Sequence, residues 1–190
     1  MHLPIRSSPV HCRQLQKKPF FIGSQEGALW ALDRNTGCAY WRFQVPSEKP
    51  IRNAVSVVDF VDHSLVFFGD DDGMAYALDA LTGKPIWQME IDDHEMALIT
   101  GSPVYHDGFV YIPASSFEVG LALKPWYHCC VFRGSVSKIN ARTGERVWQY
   151  YTIPEPAKPS VKNALGVQQY GPSGAPVWQS PTLDVKRQRL

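Results

Sequence analysis

The chain has 190 residues and carries 19 Lys and Arg against 18 Asp and Glu, a net charge of +1. This balance lacks the concentrated positive field of nucleic-acid binders and polybasic membrane binders, so neither partner is expected. Hydrophobic residues make up 44% and charged residues 19%, a globular rather than a disordered composition. No apolar run approaches the roughly 18 residues of a membrane span, and residues 1–19 do not read as a secretory signal.

A short segment recurs three times along the chain. Residues 23–41 read GSQEGALWALDRNTGCAYW, and residues 69–87 read GDDDGMAYALDALTGKPIW, at a constant offset of 46. A third copy at 134–148, GSVSKINARTGERVW, follows at an offset of 61, and the difference of 15 measures an insertion ahead of it. A repeat of roughly 40–50 residues is typical of propeller blades.

Each copy predicts two strands joined by a tight turn. The first strand ends at x-x-T-G, where Gly supplies the positive φ that the turn needs, and the second strand ends in Trp. Two apolar runs precede each copy, so each unit comprises four short antiparallel strands, A to D. The predicted A strands are 8–10, 54–58, 102–105 and 175–183, the B strands 20–22, 65–68 and 109–112, and the D strands about 38–45, 84–91 and 145–151.

These elements predict an all-β fold, a partial β-propeller of four-stranded antiparallel blades. One propeller domain spans 1–190, with blades at about 1–45, 46–91 and 92–152 and the start of the next at 153–190. A β-sandwich is the alternative, but sandwiches do not repeat a T-G-x-x-x-W signature at fixed spacing. A closed propeller needs at least four blades, so we expect a fragment of a longer propeller that aggregates or oligomerises alone through its open edge.

Several residues inside the repeats have structural interpretations. The Trp residues at 41, 87 and 148 are predicted to pack between neighbouring blades. Asp33, Asp79 and Asn140 precede the T-G turns and are predicted to cap them. The 70–73 segment DDDG lacks the alternating spacing and distant Glu of an EF-hand loop, so a hairpin turn is preferred over a calcium loop.

Chain direction separates two ends of the blades. The C–D turns are short, whereas the long segments 46–53, 92–101, 114–128 and 153–174 fall at the opposite end. Loops that vary on a repeated scaffold commonly build the functional site. This end is predicted to carry Arg52, His94, Glu118, Cys129, Cys130 and residues 171–178. His94 alone is weak as a general base, because a lone loop histidine is usually solvated.

The adjacent cysteines Cys129 and Cys130 lie where the long insertion re-enters strand C. They are interpreted either as two buried thiols or as a vicinal disulfide, whose ring imposes an unusual backbone geometry. Metal binding is less favoured, since neighbouring strand residues point to opposite sides and no second Cys/His pair has matching spacing.

The repeats and loop strings together resemble the pyrroloquinoline quinone (PQQ) dehydrogenases, eight-bladed quinoprotein propellers that include methanol and ethanol dehydrogenases. The polyvinyl-alcohol dehydrogenase type is the most similar. The strings that carry the resemblance are TGCAYWRF (36–43), IRNAVSV (51–57), DDHEMALITGSP (92–103), CCVFRGS (129–135), YTIPEP (151–156) and GPSGAPVWQSPTLD (171–184). The CC-x-F-R-G and G-P-S-G-A-P-V-W strings are more specific than the repeat, which non-catalytic PQQ-like propellers share.

The resemblance implies a flat cofactor, PQQ, held at the propeller axis. Cys129 and Cys130 would form a disulfide lid on one face of the cofactor, and Trp178 would stack on the other. Arg133 would pair with the acidic and quinone oxygens of PQQ, a task that suits a planar bidentate cation. Ser173 and Gly174 are predicted to make contacts at the rim.

The resemblance further implies an alcohol substrate, a cytochrome c electron acceptor and a periplasmic location, the signal peptide being absent from this chain. Calcium and an Asp general base belong to the complete enzyme, and their residues have no counterpart in this chain. We therefore name no catalytic residue and expect the chain alone to be inactive. The alternative function is a non-catalytic PQQ-like propeller that serves as a protein-interaction scaffold.

Overall fold

The computed structural model describes residues 19–187, which form three antiparallel sheets and a two-stranded ribbon. Within each sheet, strands that follow one another in the chain pair antiparallel, and an additional two-residue strand pairs at one end of the third sheet. The first two sheets contain β1 Phe20–Gly23, β2 Ala28–Leu32 and β3 Ala39–Gln44, then β4 Ser56–Asp59, β5 Ser64–Gly69, β6 Met74–Asp79 and β7 Pro85–Glu90. The third sheet contains β8 Ala97–Leu98, β9 Val104–His106, β10 Phe109–Ser116, β11 Ser135–Asn140 and β12 Arg146–Tyr151.

The all-β prediction is confirmed, and the three predicted D strands correspond to β3, β7 and β12. The second sheet is a complete four-stranded unit, and the first contributes strands B, C and D. The A strand predicted at 8–10 lies outside the described residues. The division into four numbered blades within one domain stays a prediction.

Two elements were not predicted at the end of the blades that holds the long segments 46–53, 92–101, 114–128 and 153–174, called here the variable end. The insertion contains a short helix, α1 Glu118–Leu121, and the segment after β12 forms a ribbon of β13 Lys158–Lys162 and β14 Gln168–Gly171. Asn163 Nδ2 donates to Pro125 O at 2.7 Å, and Tyr170 N donates to Cys129 O at 2.6 Å. These bonds join the insertion and the ribbon into one lobe over the third sheet.

The core consists of two apolar layers, one between each pair of consecutive sheets. On β5, Leu65 and Phe67 face the layer shared with the third sheet, whereas Val66 and Phe68 face the layer shared with the first. All four side chains are fully buried. The middle sheet is therefore covered on both faces, which explains why its B strand is apolar at successive positions.

The T-G turns and the repeated tryptophans form the contacts between blades. The indole N–H of Trp41 donates to Ala80 O at 3.1 Å, and a Cβ atom at Gly83 would lie 2.6 Å from Trp41 Cδ2. The same contacts recur one blade on, at Trp87, Ala141 and Gly144. The predicted inter-blade role of the tryptophans is confirmed at 41 and 87, and Gly is required here for space as well as for its positive φ.

The residue before each turn caps it as predicted. Asp79 Oδ1 accepts hydrogen bonds from the backbone N–H groups of Leu81 and Thr82, at 3.2 and 2.7 Å. Asp33 and Asn140 make the equivalent bonds in the other two turns. The 70–73 segment is also the predicted hairpin turn, since Asp70 Oδ1 accepts from Asp72 N and Met74 N.

The prediction of a strand at 175–183 is wrong. Each connection from a D strand to the next blade makes one recurring backbone hydrogen bond of 3.0 Å, from Ile51, Ile99 and Val177 N–H to the carbonyls of Ser24, Asp70 and Ala114. In the first two cases the A strand begins five residues later, at Ser56 and Val104. Residues 177–180 therefore occupy the connection, which crosses the end of the preceding sheet before strand A begins.

Candidate functional site

The recurring hydrogen bond makes Arg52, Thr100 and Trp178 equivalent positions in three successive connections. Each directly follows a bonded residue and lies at the variable end, and in the first two connections an A strand follows, β4 and β9. These two A strands are edge strands of their sheets and contact each other, so the sheets converge along this edge. The three residues therefore occupy corresponding backbone positions in neighbouring connections, which together are called the rim.

A chain of side-chain hydrogen bonds holds this rim together. Ala54 N donates to Ser102 Oγ at 2.9 Å, and Ser102 N donates to Ser180 Oγ at 2.8 Å. Thr100 Oγ1 donates to Trp178 O at 3.0 Å. Neighbouring connections are thus bonded to one another, which fixes the backbone that carries Arg52 and Trp178.

Arg52 is the charged member of the rim. Its Nη2 atom lies 2.7 Å from Asp71 Oδ2, and its guanidinium lies over the Phe117 ring at 5.6 Å. Burial raises the pKa of the Asp71 carboxyl, and Arg52 opposes this shift. The Asp71 side chain is 5% exposed and that of Arg52 is 40% exposed, so a buried anion orients a cation that still reaches solvent.

Trp178 is 39% exposed, whereas Trp87 is 9% exposed against the next blade. Residues 177–178 are bonded through their own backbone groups: Val177 N donates to Ala114 O, and Trp178 O accepts from the Thr100 hydroxyl. The Trp178 indole therefore has a different environment from the inter-blade tryptophans. Its role as the stacking surface for a cofactor stays a prediction.

Cys129 and Cys130 form a vicinal disulfide, which resolves the alternatives that the sequence left open. The loop that follows is held by the buried carboxylate of Glu118. Its Oε1 accepts from Val131 N and its Oε2 from Phe132 N, both at 2.9 Å. The segment after the disulfide is therefore attached to α1 through two hydrogen bonds from backbone N–H groups to the Glu118 carboxylate.

Tyr127 and His94 complete the surroundings of this carboxylate. The Tyr127 hydroxyl donates to Glu118 Oε1 at 3.2 Å, and burial, together with the Glu118 charge, raises the pKa of Tyr127 to about 12. His94 Nδ1 accepts from Met96 N at 3.1 Å, and its Nε2 lies 3.4 Å from Glu118 Oε1. The backbone bond at Nδ1 places the proton of a neutral imidazole on Nε2, facing the carboxylate.

Arg133 is positioned beside Ser173 and Gly174, but its guanidinium contacts the end of its own blade and the segment that follows it. Gly174 N donates to Phe132 O at 2.7 Å, and Gly134 N donates to Gly174 O at 2.9 Å. The Arg133 guanidinium lies 4.0 Å over the Tyr151 ring and donates to the carbonyls of residues 153 and 154.

Arg133 also lines an open cleft of about 520 Å³ with the 92–95 loop, Tyr127 and Tyr151. Burial raises the pKa of Asp92 in this loop. The cysteines, Ser173, Gly174 and Trp178 do not line this cleft. The structure thus brings Arg133, Ser173, Gly174 and the disulfide to neighbouring backbone positions, while convergence of Trp178 with them on one cavity stays a prediction.

Sequence reasoning missed the roles of two residues that it placed at this end. Arg52 was given no binding role. Its equivalence to Trp178 is not visible in the sequence, because the connections that carry the two residues differ in length. Glu118 was also given none, because nothing in the local sequence reveals that it bonds residues 13 and 14 positions later.

Metal binding has little support in this part of the molecule. Among residues 19–187, no group of three or more His, Cys, Asp or Glu side chains is placed to hold a metal ion. The described residues therefore do not fit a calcium site of their own, and no chemical step is assigned to a metal here.

A family model described as "Outer membrane protein assembly factor BamB" (PQQ_2) matches residues 7–126. The chain belongs to this PQQ_2 family. Two proteins named polyvinylalcohol dehydrogenase are also similar to it. One, from Pseudomonas sp, is 39% identical over 171 residues; the other, from Sphingopyxis sp. (strain 113P3), is 37% identical over 183 residues. These matches cover 88% and 90% of this chain but 26% of each relative, so the chain spans about a quarter of their length.

Solved structures extend the comparison to the fold. The quinohemoprotein alcohol dehydrogenase from Comamonas testosteroni has a TM-score of 0.57 at 23% identity, covering 72% of this chain and 20% of that one. A europium-containing methanol dehydrogenase has a TM-score of 0.55 at 23% identity, covering 71% and 23%. The predicted relationship to PQQ alcohol dehydrogenases of the polyvinyl-alcohol type is confirmed, and so is the partial propeller. No helix within residues 19–187 is long and apolar enough to cross a membrane.

Proposed function

We propose that this chain forms part of a PQQ-dependent alcohol dehydrogenase that oxidises alcohol groups, including those of polyvinyl alcohol. The observation that carries the proposal is the 39% identity to a polyvinylalcohol dehydrogenase across 88% of the chain. The rim of Arg52, Thr100 and Trp178 supports the proposal, because it places a partly exposed aromatic ring and an oriented cation in neighbouring connections at the variable end.

The side chains of the rim fit a flat, polyanionic quinone. The half-exposed indole of Trp178 offers area and a quadrupole for stacking. Arg52 offers a guanidinium to a carboxylate of the cofactor, and Asp71 holds that guanidinium in place. When bound, PQQ would supply the two-electron oxidising capacity, while the chain's own residues bind and orient it.

The remaining predicted contacts belong to the lobe over the third sheet. The Cys129–Cys130 disulfide would cover the cofactor, and Ser173 and Gly174 would contact its edge. Arg133 would reach the cofactor only if its guanidinium exchanged the carbonyls of residues 153 and 154 for cofactor oxygens. Arg52 is therefore the stronger binding candidate of the two arginines.

Two finer parts of the proposal concern location and electron transfer. The disulfide suits an oxidising compartment, which supports a periplasmic protein. The quinohemoprotein neighbour is named for a haem-containing alcohol dehydrogenase, which supports a cytochrome c as electron acceptor. Calcium remains part of the proposal for the complete protein only, since its ligands are not among the described residues.

A second candidate is a non-catalytic propeller that acts as a protein-interaction scaffold. The description of the matching family model, an outer membrane protein assembly factor, favours it. Such a scaffold has no need for an exposed, oriented arginine and a half-exposed tryptophan at one rim.

The deciding experiment measures alcohol-dependent reduction of an artificial electron acceptor by the complete protein carrying these residues. We expect reduction with polyvinyl alcohol or a small secondary alcohol only after PQQ and calcium are supplied. No reduction, together with no PQQ binding by fluorescence titration, would favour the scaffold.

A matched pair of variants tests the rim within the same preparation. Arg52→Lys should weaken PQQ binding about tenfold, because Lys cannot reproduce the bidentate fork. Arg142→Lys is the control: Arg142 also pairs with a carboxylate and lies over an aromatic ring, Asp62 and Phe60, but at the T-G turn of the third blade. Equal affinity in both variants would remove Arg52 from the site.

A further inference from the structure

Glu118 has an unusual position for a carboxylate. It begins a four-residue helix in the insertion, yet the residue is 2% exposed. A buried carboxylate persists only where hydrogen bonds replace its water. Its two oxygens accept from Val131 N, Phe132 N and the Tyr127 hydroxyl, so its three hydrogen bonds come from one segment of chain, and His94 Nε2 lies 3.4 Å away on another.

That segment is the disulfide loop. Tyr127 lies two residues before Cys129, and Val131 directly follows Cys130. The carboxylate thus accepts hydrogen bonds from residues on both sides of the S–S bond. On its far side the loop is bonded to the ribbon through Tyr170 N and Cys129 O.

We propose that Glu118 is the positioning residue of the disulfide loop, because its carboxylate bonds Val131 and Phe132 in the conformation that keeps Cys129 and Cys130 joined. The same bonds set the backbone at Phe132, which accepts from Gly174 N. Glu118 thereby also determines where Arg133 and residues 173–174 lie. This last consequence deepens the proposed cofactor site and rests on it, whereas the effect on the disulfide does not.

The bonds and the disulfide are energetically coupled in this account. Reduction converts the S–S bond into two thiols and frees the loop, so the carboxylate loses its fixed partners. Coupling between two events is reciprocal. Weakening the carboxylate's bonds must therefore make the disulfide easier to reduce, and reducing the disulfide must weaken those bonds.

The test is a dithiothreitol titration of the complete protein, in which dithiothreitol becomes the cyclic disulfide as the protein thiols form. Trapped thiols at Cys129 and Cys130 are counted by mass spectrometry. Glu118→Gln turns one acceptor into a donor that faces a backbone N–H, so we expect half-reduction at about tenfold lower dithiothreitol. An unchanged midpoint would overturn the proposal.

The chain offers a matched control in Asp70. This fully buried carboxylate also accepts from two backbone N–H groups, those of Asp72 and Met74, and from the hydroxyl of Tyr76. Asp70→Asn should lower the melting temperature by a similar mechanism without moving the midpoint. A midpoint that moves equally in both variants would show a general effect of instability and would contradict a positioning role.

The unsubstituted protein provides a second measurement in case Glu118→Gln does not fold. We expect the amide hydrogens of Val131 and Phe132 to exchange slowly with the disulfide intact and at least tenfold faster after reduction. Equal exchange in both states would overturn the proposal. Neither measurement involves PQQ, so either can fail while the proposed dehydrogenase function stands.

Discussion

The two ends of the blades use the same kinds of residues for different purposes. At the T-G end, Trp41 and Trp87 are packed on glycines of the following turn, and their indole N–H groups bond backbone carbonyls. At the opposite end, Trp178 keeps 39% of its surface exposed, and Arg52 is oriented but accessible. The repeated end fixes the distance between blades, and the variable end presents side chains.

The difference follows from what each segment must bond. A T-G turn is closed by its own Asp or Asn cap, which accepts hydrogen bonds from backbone N–H groups of the same turn. A connection at the other end bonds only selected backbone groups to the preceding sheet. Residues between those bonds are free to vary, so positions such as 52, 100 and 178 can hold a cation, a hydroxyl and an aromatic ring on one repeated backbone.

The largest effect of breaking this division is expected at the T-G turns. Gly83→Ala places a Cβ atom 2.6 Å from the Trp41 ring at a φ of +69°. Backbone strain and overpacking together should cost about 3 kcal/mol of unfolding free energy. Gly108→Ala is the control, because Gly108 has a φ of +83° and no neighbour within 4 Å of its Cβ position among the described residues.

The difference in unfolding free energy between the two variants measures what the packing of Trp41 against Gly83 contributes. Gly108→Ala should cost about 1 kcal/mol from the positive φ alone. Denaturant unfolding of both variants measures the difference, and equal losses would show that the tryptophan contact contributes nothing.

A smaller loss is expected at Asn53, a structural residue within the variable end. Its Nδ2 donates to the carbonyls of Gly69 and Ile99, and its Oδ1 accepts from Gly69 N. Asn53→Ala leaves these buried groups unpaired and should cost about 2 kcal/mol. Arg52→Lys next to it keeps a cation beside the buried Asp71 carboxylate and should change stability by less than about 1 kcal/mol. If the neighbours ranked in the opposite order, the division of roles within the connection would be wrong.

The repeat predicted the scaffold well because its signals are local. The T-G turn, its cap and the strand-ending Trp lie within 15 residues of one another, and each has one dominant physical explanation. The connections were harder, since an apolar connection and an apolar strand have the same composition; hence the error at 175–183. The contacts of Arg52 with Asp71, and of Glu118 with Val131, depend on tertiary packing that no spacing rule encodes.

The smallest expected effect is a pH dependence at Tyr127. Its pKa rises from an ordinary value near 10 to about 12 in the folded protein. The protonated form is thus favoured by folding, and the stability this adds is fully present below pH 10 and lost as the pH rises through 12. The stability advantage of the parent over Tyr127→Phe should shrink across that interval. A constant difference in unfolding free energy would contradict the Tyr127 assignment.

The central claim is that tryptophan serves packing at one end and cofactor binding at the other. Its most direct test is titration of PQQ into the complete protein and its Trp178→Ala and Trp87→Ala variants, with melting measured alongside. We expect Trp178→Ala to weaken PQQ binding by about 2–4 kcal/mol with little change in melting temperature. Trp87→Ala should lower the melting temperature and leave PQQ affinity unchanged. Loss of stability with unchanged PQQ affinity in Trp178→Ala would contradict the account.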